Sequence, residues 1–461
     1  MSRRSAGAIL GILAFIAVLV MPRPELLEPA AQRALAAIAL AVVFWATEVM
    51  SAGIIAILAL GLLLTLRVPA TVALGGFATS AFWILVSVLF YGHAMDKTGL
   101  ARRISYRILL LFRPTYTGII LAFMAIGFVL TLGVPSMTVR TAILMPIAWA
   151  LVQALDLERP GPGAALIVLS TFEMAVLPGC ALLTGSLWGP FTAGLFANEG
   201  IPLSWLGFAR AMAPPTLVWC LLVVLANRLA LRPAASASMT QESVRAEMHK
   251  LGPLTRPEML TAAIVVVSIL AWASQPWHRV PPEAIGMLAL TALFATGVLA
   301  PGEIGTGISW GLVLFIGGML SVTSVISANQ INVWMGSYIV PAIRPFVGSP
   351  WLFVTAMTVG VVAMRFVDPV GFITITAFFL ALVHFVQPQG VAPLVLAGAI
   401  LMPLHVFWFS YQNIWLAMTD GITKGLAYTA GQRLRLATAF LAATLVAVWI
   451  AVVYWRAIGA V

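Results

Sequence analysis

Arg140 and Arg365 are the residues whose type and position point most directly to chemistry. Both lie deep in stretches that are otherwise apolar enough to cross a membrane, Gly133–Ala148 and Val362–Phe379. A charged side chain at the centre of a bilayer costs at least about 2.5–3.5 kcal/mol on insertion scales and rarely faces lipid. Guanidinium groups pair with carboxylate and sulfate oxygens in a bidentate manner. Because Gly, Pro, Ser and Thr interrupt the helix beside each arginine, the two stretches predict a binding site for an anion.

Hydrogen-bond donors cluster around these and two further interruptions of the apolar pattern. Broken helices expose backbone N–H groups that attract anions, and their freed carbonyls can hold cations. The side chains expected to line the pocket beside the arginines are Ser136, Thr138, Thr184, Ser186, Ser410 and Asn413. The alternative for each Ser or Thr is a bond back to its own helix. The neighbouring tryptophans Trp188, Trp408 and Trp415 are expected to pack or to anchor the chain at the membrane interface.

The buried acids allow a different interpretation of the arginines. Asp368 or Glu173 could form an internal ion pair with them and hold a hairpin closed. Arg365 and Asp368 are three positions apart, so they can meet on one face of a helix. Glu173, Asp368 and His405 are also candidates for proton coupling, although a lone histidine on an apolar helix is more often a packing residue. We expect no metal site and no cofactor.

The composition is typical of a polytopic membrane protein. Of the 461 residues, 62% are hydrophobic and only 9% are charged, whereas soluble domains carry about 25% charged residues. The net charge of +10 is spread over the ends of predicted helices, which favours membrane orientation over binding to nucleic acid. Uninterrupted apolar runs separated by short loops predict an all-α fold.

One order of segments occurs twice along the chain, at a displacement of roughly 225–232 residues: a span, an amphipathic piece, a hairpin and a broken helix. An odd number of crossings in each copy predicts two inverted-topology repeats. The predicted parts are a first repeat, residues 1–232, with an inward hairpin at 116–157 and a broken helix at 163–198; a cytoplasmic linker, 233–257; and a second repeat, 258–461, with an outward hairpin at 350–388 and a broken helix at 391–421.

Basic residues are more numerous on one set of predicted loops than on the other. By the positive-inside rule, this bias places the N-terminus in the cytoplasm and the first hairpin on the cytoplasmic side. We therefore expect a multi-pass protein of the cell inner membrane.

Four stretches are similar to those of the divalent anion:sodium symporter family, the carboxylate and sulfate carriers of the ion transporter superfamily. They are the Trp-x-Thr-Glu segment in Ala41–Gly53, Phe82–Ile104, Ser136–Ala148 and Ile308–Val322. The resemblance covers nearly the whole chain. It implies a homodimer with a fixed scaffold and a mobile part that holds both hairpin tips and both helix breaks and moves as an elevator.

The chain departs from the family where the family holds sodium and the substrate carboxylates. The first tip reads Ser-Met-Thr at 136–138 in place of Ser-Asn-Thr, and Asp-Pro-Val at 368–370 stands at the second tip. The first break has Gly-Ser-Leu-Trp-Gly at 185–189 instead of Gly-Thr-Pro-Pro-Asn, and the second, at 409–413, keeps only the final Asn413. The resemblance implies sodium coupling, whereas these departures argue against it. The fixed charges of Arg140 and Arg365 could stand where relatives hold sodium.

The predicted function is secondary transport of a small anion, a di- or tricarboxylate or else sulfate, by exchange, uniport or proton symport. An anion channel is the nearest alternative, but polar groups cluster at the breaks and do not form a continuous lining. A membrane-embedded enzyme would need Glu173, Asp368 and His405 to meet around one site, and the chain has no HExxH pair and no Gly-x-Ser-x-Gly elbow. The expected partners are the anion, the bilayer and a second copy of the chain.

Overall fold

The computed structural model describes residues 3–233, 242–368 and 370–460. Pro369 of the second tip, residues 234–241 of the predicted linker and the chain ends, 1–2 and 461, lie outside the described residues. Within the described ranges every regular element is a helix, which confirms the all-α prediction. Nine of these helices are long and apolar enough to cross a membrane.

Eleven α-helices lie in the first described range, residues 3–233. They are α1 (Arg3–Val20), α2 (Pro29–Thr47), α3 (Ala52–Thr65), α4 (Ala70–Ala73), α5 (Ser80–Lys97), α6 (Leu100–Leu111), α7 (Tyr116–Gly133), α8 (Met137–Ala154), α9 (Pro162–Val176), α10 (Trp188–Asn198) and α11 (Trp205–Ala230).

Twelve α-helices follow it. They are α12 (Glu242–Lys250), α13 (Arg256–Ala273), α14 (Gln275–His278), α15 (Pro282–Ala295), α16 (Glu303–Thr306), α17 (Trp310–Ala328), α18 (Ile331–Ile343), α19 (Pro350–Met364), α20 (Phe372–Val386), α21 (Pro393–Leu401), α22 (Ile414–Thr423) and α23 (Ala430–Ala457). The order from α5 to α11 recurs from α17 to α23, at a displacement of roughly 230 positions, as an internal repeat requires.

Each segment predicted as a hairpin consists of two helices joined by a turn. α7 and α8 meet at residues 134–136, the first tip, where the Ser136 hydroxyl caps α8. α19 and α20 meet at residues 365–368 and 370–371, the second tip. The second tip ends at Gly371 with a φ of 96°, and a Cβ there would lie 2.7 Å from Leu404. Glycine is needed at this position both for the backbone conformation and for the close packing.

Each segment predicted as a broken helix is interrupted near its middle. The first break, residues 177–187, separates α9 from α10, and the second break, residues 402–413, separates α21 from α22. Pro178 and Pro403 lie just inside the breaks, where the missing N–H and the ring end a regular helix. The carbonyls of the preceding turn are left without helical partners and must bond elsewhere.

The hairpins and broken helices are packed into one body. α8 contacts α22, and α20 contacts α10, so the second arm of each hairpin meets the broken helix of the other half. α7 contacts the turn Leu177–Cys180, and α19 contacts the turn Pro403–His405, so each first arm meets the break of its own half. α9 lies at the centre, since the apolar stretch Pro162–Cys180 is buried throughout. Both tips and both breaks are thereby positioned around the same region.

Candidate functional site

The side chain of Arg140 is completely buried and binds backbone carbonyls from three segments. Its Nε donates to the oxygen of Ala175 in α9 at 2.7 Å. Its Nη1 donates to Val134 in the first tip and to Gly185 in the first break, both at 2.7 Å. The guanidinium therefore fastens the first tip to α9 and to the first break.

The local sequence explains why a guanidinium fits there. Arg140 lies in the first turn of α8, so its side chain reaches back over the tip that precedes the helix. Gly179 provides room beside it, because a Cβ at that position would lie 2.5 Å from Nη2 of Arg140. Within the described part of the chain, Nη2 has no hydrogen-bond partner. The three acceptors are neutral, so the group keeps its full positive charge.

Arg365 binds its surroundings in the same manner in the second half. It ends α19 and is buried, and its Nη1 donates to the backbone oxygen of Asp368 at 2.9 Å. Its Nη2 donates to the backbone oxygen of Gln412. Arg365 thus joins the second tip to the second break, as Arg140 joins the first tip to the first break.

The Asp368 side chain binds the start of α20, whereas its spacing from Arg365 suggested an ion pair. Its Oδ1 accepts from the backbone N–H of Gly371 at 2.9 Å, and its Oδ2 accepts from the N–H and hydroxyl of Thr374 at 2.7 and 2.8 Å. The carboxylate therefore caps α20, where negative charge is favourable. Residues 365 and 368 do meet, but through the backbone oxygen of Asp368. The alternative of a hydrogen-bonded ion pair between the two side chains is not seen in the described structure.

Three of the predicted donors lie where the first tip meets the second break. Ser136 caps α8, and Asn413 caps α22 by accepting from the N–H groups of Trp415 and Leu416. The hydroxyl of Thr138, which is exposed, accepts from Nε1 of Trp415 at 3.0 Å. The structure therefore brings Ser136, Thr138 and Asn413 close to one another across the two halves.

The other three donors each bond a different part of the structure. The Ser186 hydroxyl accepts from the Trp188 N–H at 3.3 Å inside the first break, and Thr184 accepts from Nε1 of Trp205 at 3.0 Å. Ser410 donates to Asp420 at 2.7 Å and accepts from Arg433 at 3.2 Å. The hydroxyl of Ser410 thus belongs to a polar cluster with α22 and α23. This differs from its predicted place in the pocket, because the spacing alone did not reveal the acid ten residues later.

An aromatic crevice borders the second tip and both breaks. Its volume is about 270 Å³, and it lies between α2, α3 and α17 on one side and the tip and breaks on the other. Aromatic rings make up much of its lining, together with the acids Glu48 and Asp368; the rings are Trp45, Trp188, Phe315, Phe372 and Trp415. Nε1 of Trp188 is buried and has no partner in the described residues.

Sequence reasoning assigned Trp188 and Trp415 to packing and did not consider Gly179 or Gln412. Trp188 is the first residue and Trp415 the second residue of a helix that follows a break, and that position was the available signal. Gly179 and the carbonyl of Gln412 had no signal, because a close approach and a backbone acceptor leave no mark on residue type.

The three candidates for proton coupling lie in separate environments. Nδ1 of His405 donates to the Leu401 carbonyl at 2.9 Å, and its ring lies between those of Trp188 and Trp219. Glu173 bonds Asn227 of α11 and forms no ion pair with Arg140 in the described structure. No group of three His, Cys, Asp or Glu residues that could hold a metal occurs in the described ranges. The arrangement that the enzyme alternative would need is not seen among them.

Comparisons with known proteins agree with this architecture. A family model described as the sodium:sulfate symporter transmembrane region matches residues 2–461. A membrane protein of Cupriavidus necator is 27% identical over 72% of this chain and 69% of its own length. The chloroplastic dicarboxylate transporter 1 of Spinacia oleracea is 23% identical over 72% of this chain, and the match spans 60% of that protein. A putative malate transporter of Bacillus subtilis is 24% identical over 60% of each protein.

A solved structure shares the fold. The crystal structure of the YdaH transporter of Alcanivorax borkumensis, described as having an unusual topology, superposes with a TM-score of 0.54. The alignment covers 84% of this chain and 88% of that one at 13% identity. At this identity the likeness concerns the arrangement of helices alone.

Proposed function

We propose, from the premise that this chain belongs to the sodium:sulfate symporter family, that it is a secondary transporter of a small anion, with a di- or tricarboxylate as substrate. Membership of the family confirms the resemblance read from the sequence. The names of relatives support the substrate class: dicarboxylate transporter in spinach, putative malate transporter in Bacillus subtilis, and L-tartrate/succinate antiporter in Shigella sonnei.

The observation that carries the proposal is the positive charge held at the tips. Arg140 is buried and its three described hydrogen bonds go to neutral carbonyls, so its charge is not cancelled there. Arg365 is also buried and binds the carbonyls of Asp368 and Gln412. The helices α8, α10 and α22 also begin in this region, and helix starts favour anions. The Asp368 carboxylate offsets part of this charge at the second tip only. An anion that enters between the tips would be attracted by the two guanidinium groups and the helix starts, with Glu48 and Asp368 as the acids of the crevice.

The proposed mechanism is an elevator. Arg140, Arg365 and the contact between Thr138 and Trp415 tie the tips and breaks of both halves together, as movement in one piece requires. The opposite wall of the aromatic crevice, on α2, α3 and α17, would belong to the scaffold. By the family pattern, two copies would pair through their scaffolds in the inner membrane, with inverted repeats and the N-termini in the cytoplasm.

The proposal includes transport without sodium. Carbonyl oxygens freed at helix breaks are the groups that coordinate sodium in transporters of this kind. In this chain the carbonyls of Val134, Gly185 and Gln412 are bonded to guanidinium groups instead. A permanent cation in the place of a bound one would keep the tips anchored without sodium.

Uptake into proteoliposomes tests the proposal. The purified protein is reconstituted, and uptake of labelled succinate, citrate and sulfate is measured in sodium and in choline, with protein-free vesicles as the control. We expect saturable uptake of at least one carboxylate and equal rates in both salts. No uptake of any of the three anions would contradict transport. Uptake that requires sodium would leave transport intact and reject the replacement of sodium by arginine.

A further inference from the structure

A buried acid and a buried amide face each other between α9 and α11. Glu173 of α9 and Asn227 of α11 are both inaccessible to solvent, as is Ser170, one turn before Glu173. The amide Nδ2 of Asn227 donates to Oε2 of Glu173 and to the hydroxyl of Ser170, the latter at 3.0 Å. This cluster lies outside the tips and breaks and has no part in the site described above.

Two oxygens in the cluster are left without partners. Among the described residues neither Oε1 of Glu173 nor Oδ1 of Asn227 has a hydrogen-bond donor. An ionised glutamate can only accept hydrogen bonds, and the same is true of an amide oxygen. A protonated glutamate has an O–H to donate. A proton on Glu173 would therefore supply a donor in a cluster that lacks one.

Among the described residues no cation forms an ion pair with this acid. Arg140 contacts α9 at the carbonyl of Ala175, two positions after Glu173. Arg228, next to Asn227, lies over the ring of Tyr116 at 5.9 Å.

The elements packed against α9 bring few titratable groups to Glu173. The thiols of Cys220 in α11 and Cys180 in the first break are both buried. From α7, α8, α22 and α23, no charged side chain in the described structure forms a hydrogen bond or an ion pair with the carboxyl. An isolated ionised carboxylate in such a place is so costly that the group takes up a proton instead.

We propose that Glu173 binds the proton that is transported together with the anion, and that Asn227 holds the protonated acid. The inference rests on the proposed transport function and adds its coupling ion. The proton would enter from water on the side where the anion binds, reside on the carboxyl oxygen, and leave to water on the other side. Glu173 is left as a carboxylate only while water reaches it.

The connection to the substrate site is made through α9. Glu173 lies two positions before Ala175, whose carbonyl is held by Arg140, and Arg140 also binds the first tip and the first break. α9 and α11 would belong to the moving part, so the proton would travel with the anion. Asp368 is less suited to this role because three donors already satisfy its carboxylate.

Two assays on the same proteoliposomes test the inference. The first is counterflow, the exchange of labelled for unlabelled carboxylate at equal pH on both sides. The second is uptake driven by a pH gradient, acidic outside. The variants are Glu173→Gln, which cannot ionise, and Glu25→Gln, which removes an exposed carboxyl between α1 and α2 as a control.

For the wild type and Glu25→Gln we expect counterflow and faster uptake with the gradient. For Glu173→Gln we expect counterflow to persist and the gradient to have no effect on the rate. A Glu173→Gln protein that still responds to the gradient overturns the inference, and so does a wild type that exchanges substrate but ignores the gradient. A wild type without counterflow would instead refute the transport function itself.

A measurement on the wild type alone keeps the inference testable if Glu173→Gln does not fold. In weakly buffered suspension, uptake of the anion should make the external medium more alkaline as protons enter with it. The conservative variant Glu173→Asp retains an acid and should keep this signal. Anion uptake without any change in external pH would overturn the inference.

Discussion

Arg140 and Arg103 are both buried arginines of the first half, yet they bind their surroundings in different ways. Arg103 in α6 is 4% exposed, and it donates to both carboxylate oxygens of Glu258 at 2.6 and 3.1 Å. It also binds the carbonyls of Leu251, Gly252 and Pro253 after the linker helix α12. Arg140 is equally buried, and its three acceptors are all backbone carbonyls.

The difference shows that two equally buried arginines can have different tasks in this molecule. The bond between Arg103 and Glu258 cancels the charge and fastens α6 to the start of α13, which is a structural task. Around Arg140 the helix break supplies neutral acceptors, so the charge is anchored but not cancelled. Arg365 is intermediate, since its acceptors are carbonyls while the Asp368 carboxylate lies at the same tip. The type of partner, rather than burial, distinguishes a candidate anion site from a structural arginine.

The largest expected effect comes from replacing Arg140. We expect Arg140→Ala to abolish anion binding, because it removes the uncancelled charge and three charge-assisted bonds. A hydrogen bond from a guanidinium to the anion contributes about 1.5–3 kcal/mol, so the loss of affinity should reach about 100-fold. Binding is measured by calorimetry in detergent with the carboxylate that shows the fastest uptake.

Arg103→Ala is the matched control for this prediction. It leaves Glu258 buried without its partner, so it should lower the unfolding temperature, while folded protein should bind the anion with unchanged affinity. Unchanged affinity in folded Arg140→Ala would make that side chain structural as well, and the contrast between the two arginines would disappear.

The second test asks whether a guanidinium stands in for a bound cation. In Arg365→Ser the carbonyls of Asp368 and Gln412 lose their donor and become free to coordinate a small cation. We expect transport by this variant to be slow in choline and to recover at least partly in sodium, whereas the wild type should be equally fast in both. Equal, low rates in both salts would show that the cavity does not accept sodium.

The sequence predicted those features of the fold that depend on composition and periodicity. Apolar stretches interrupted by Gly and Pro indicated α7 with α8, α19 with α20 and the two broken helices, because a helix that loses its hydrogen bonds at a proline must end there. The charge of Arg140 and Arg365 stood out for the same reason, since a buried charge is costly wherever it lies. These predictions follow from the residue type alone.

The partners of these residues could not be predicted in the same way. Arg140 binds carbonyls, which every residue possesses, so no residue type marks Val134, Ala175 or Gly185 as acceptors. Asp368 lies three positions from Arg365, but the start of α20 offers its carboxylate three donors, and this local cap decides its orientation. Ser410 is drawn away by Asp420 for a similar reason. Competition between neighbouring acceptors is set by geometry that the sequence does not contain.

A smaller effect is expected from crowding Arg140 without removing it. In Gly179→Ala the new Cβ would lie 2.5 Å from Nη2 of Arg140 and 2.9 Å from Cβ of Ser186, so the guanidinium or the first break must shift. Overpacking of this kind costs about 1–3 kcal/mol, and we expect anion affinity to fall by about tenfold. Gly61→Ala is the control, because a Cβ there meets nothing within 4 Å. If Gly179→Ala binds the anion as tightly as Gly61→Ala, the position of Nη2 is irrelevant to binding.

The smallest expected effect is a change in unfolding temperature on replacing Glu303. The carboxylate of this residue cancels the charge of Lys97 at the end of α5. Lys97 of α5 and His93 bond Glu303 of α16, and the N–H of Ala300 also donates to this carboxylate. These bonds, that of Lys97 above all, lower the pKa of Glu303 from 4.5 to about 2. A lowered pKa means that the stabilisation is present above pH 4.5 and is lost as the pH falls towards 2. We expect the unfolding temperature of the wild type to exceed that of Glu303→Gln at pH 6 and to approach it at pH 3. Anion affinity should be the same in both proteins, because this carboxylate cancels a charge far along the chain from the tips. A difference in unfolding temperature that persists unchanged at pH 3 would show that the ion pair contributes nothing.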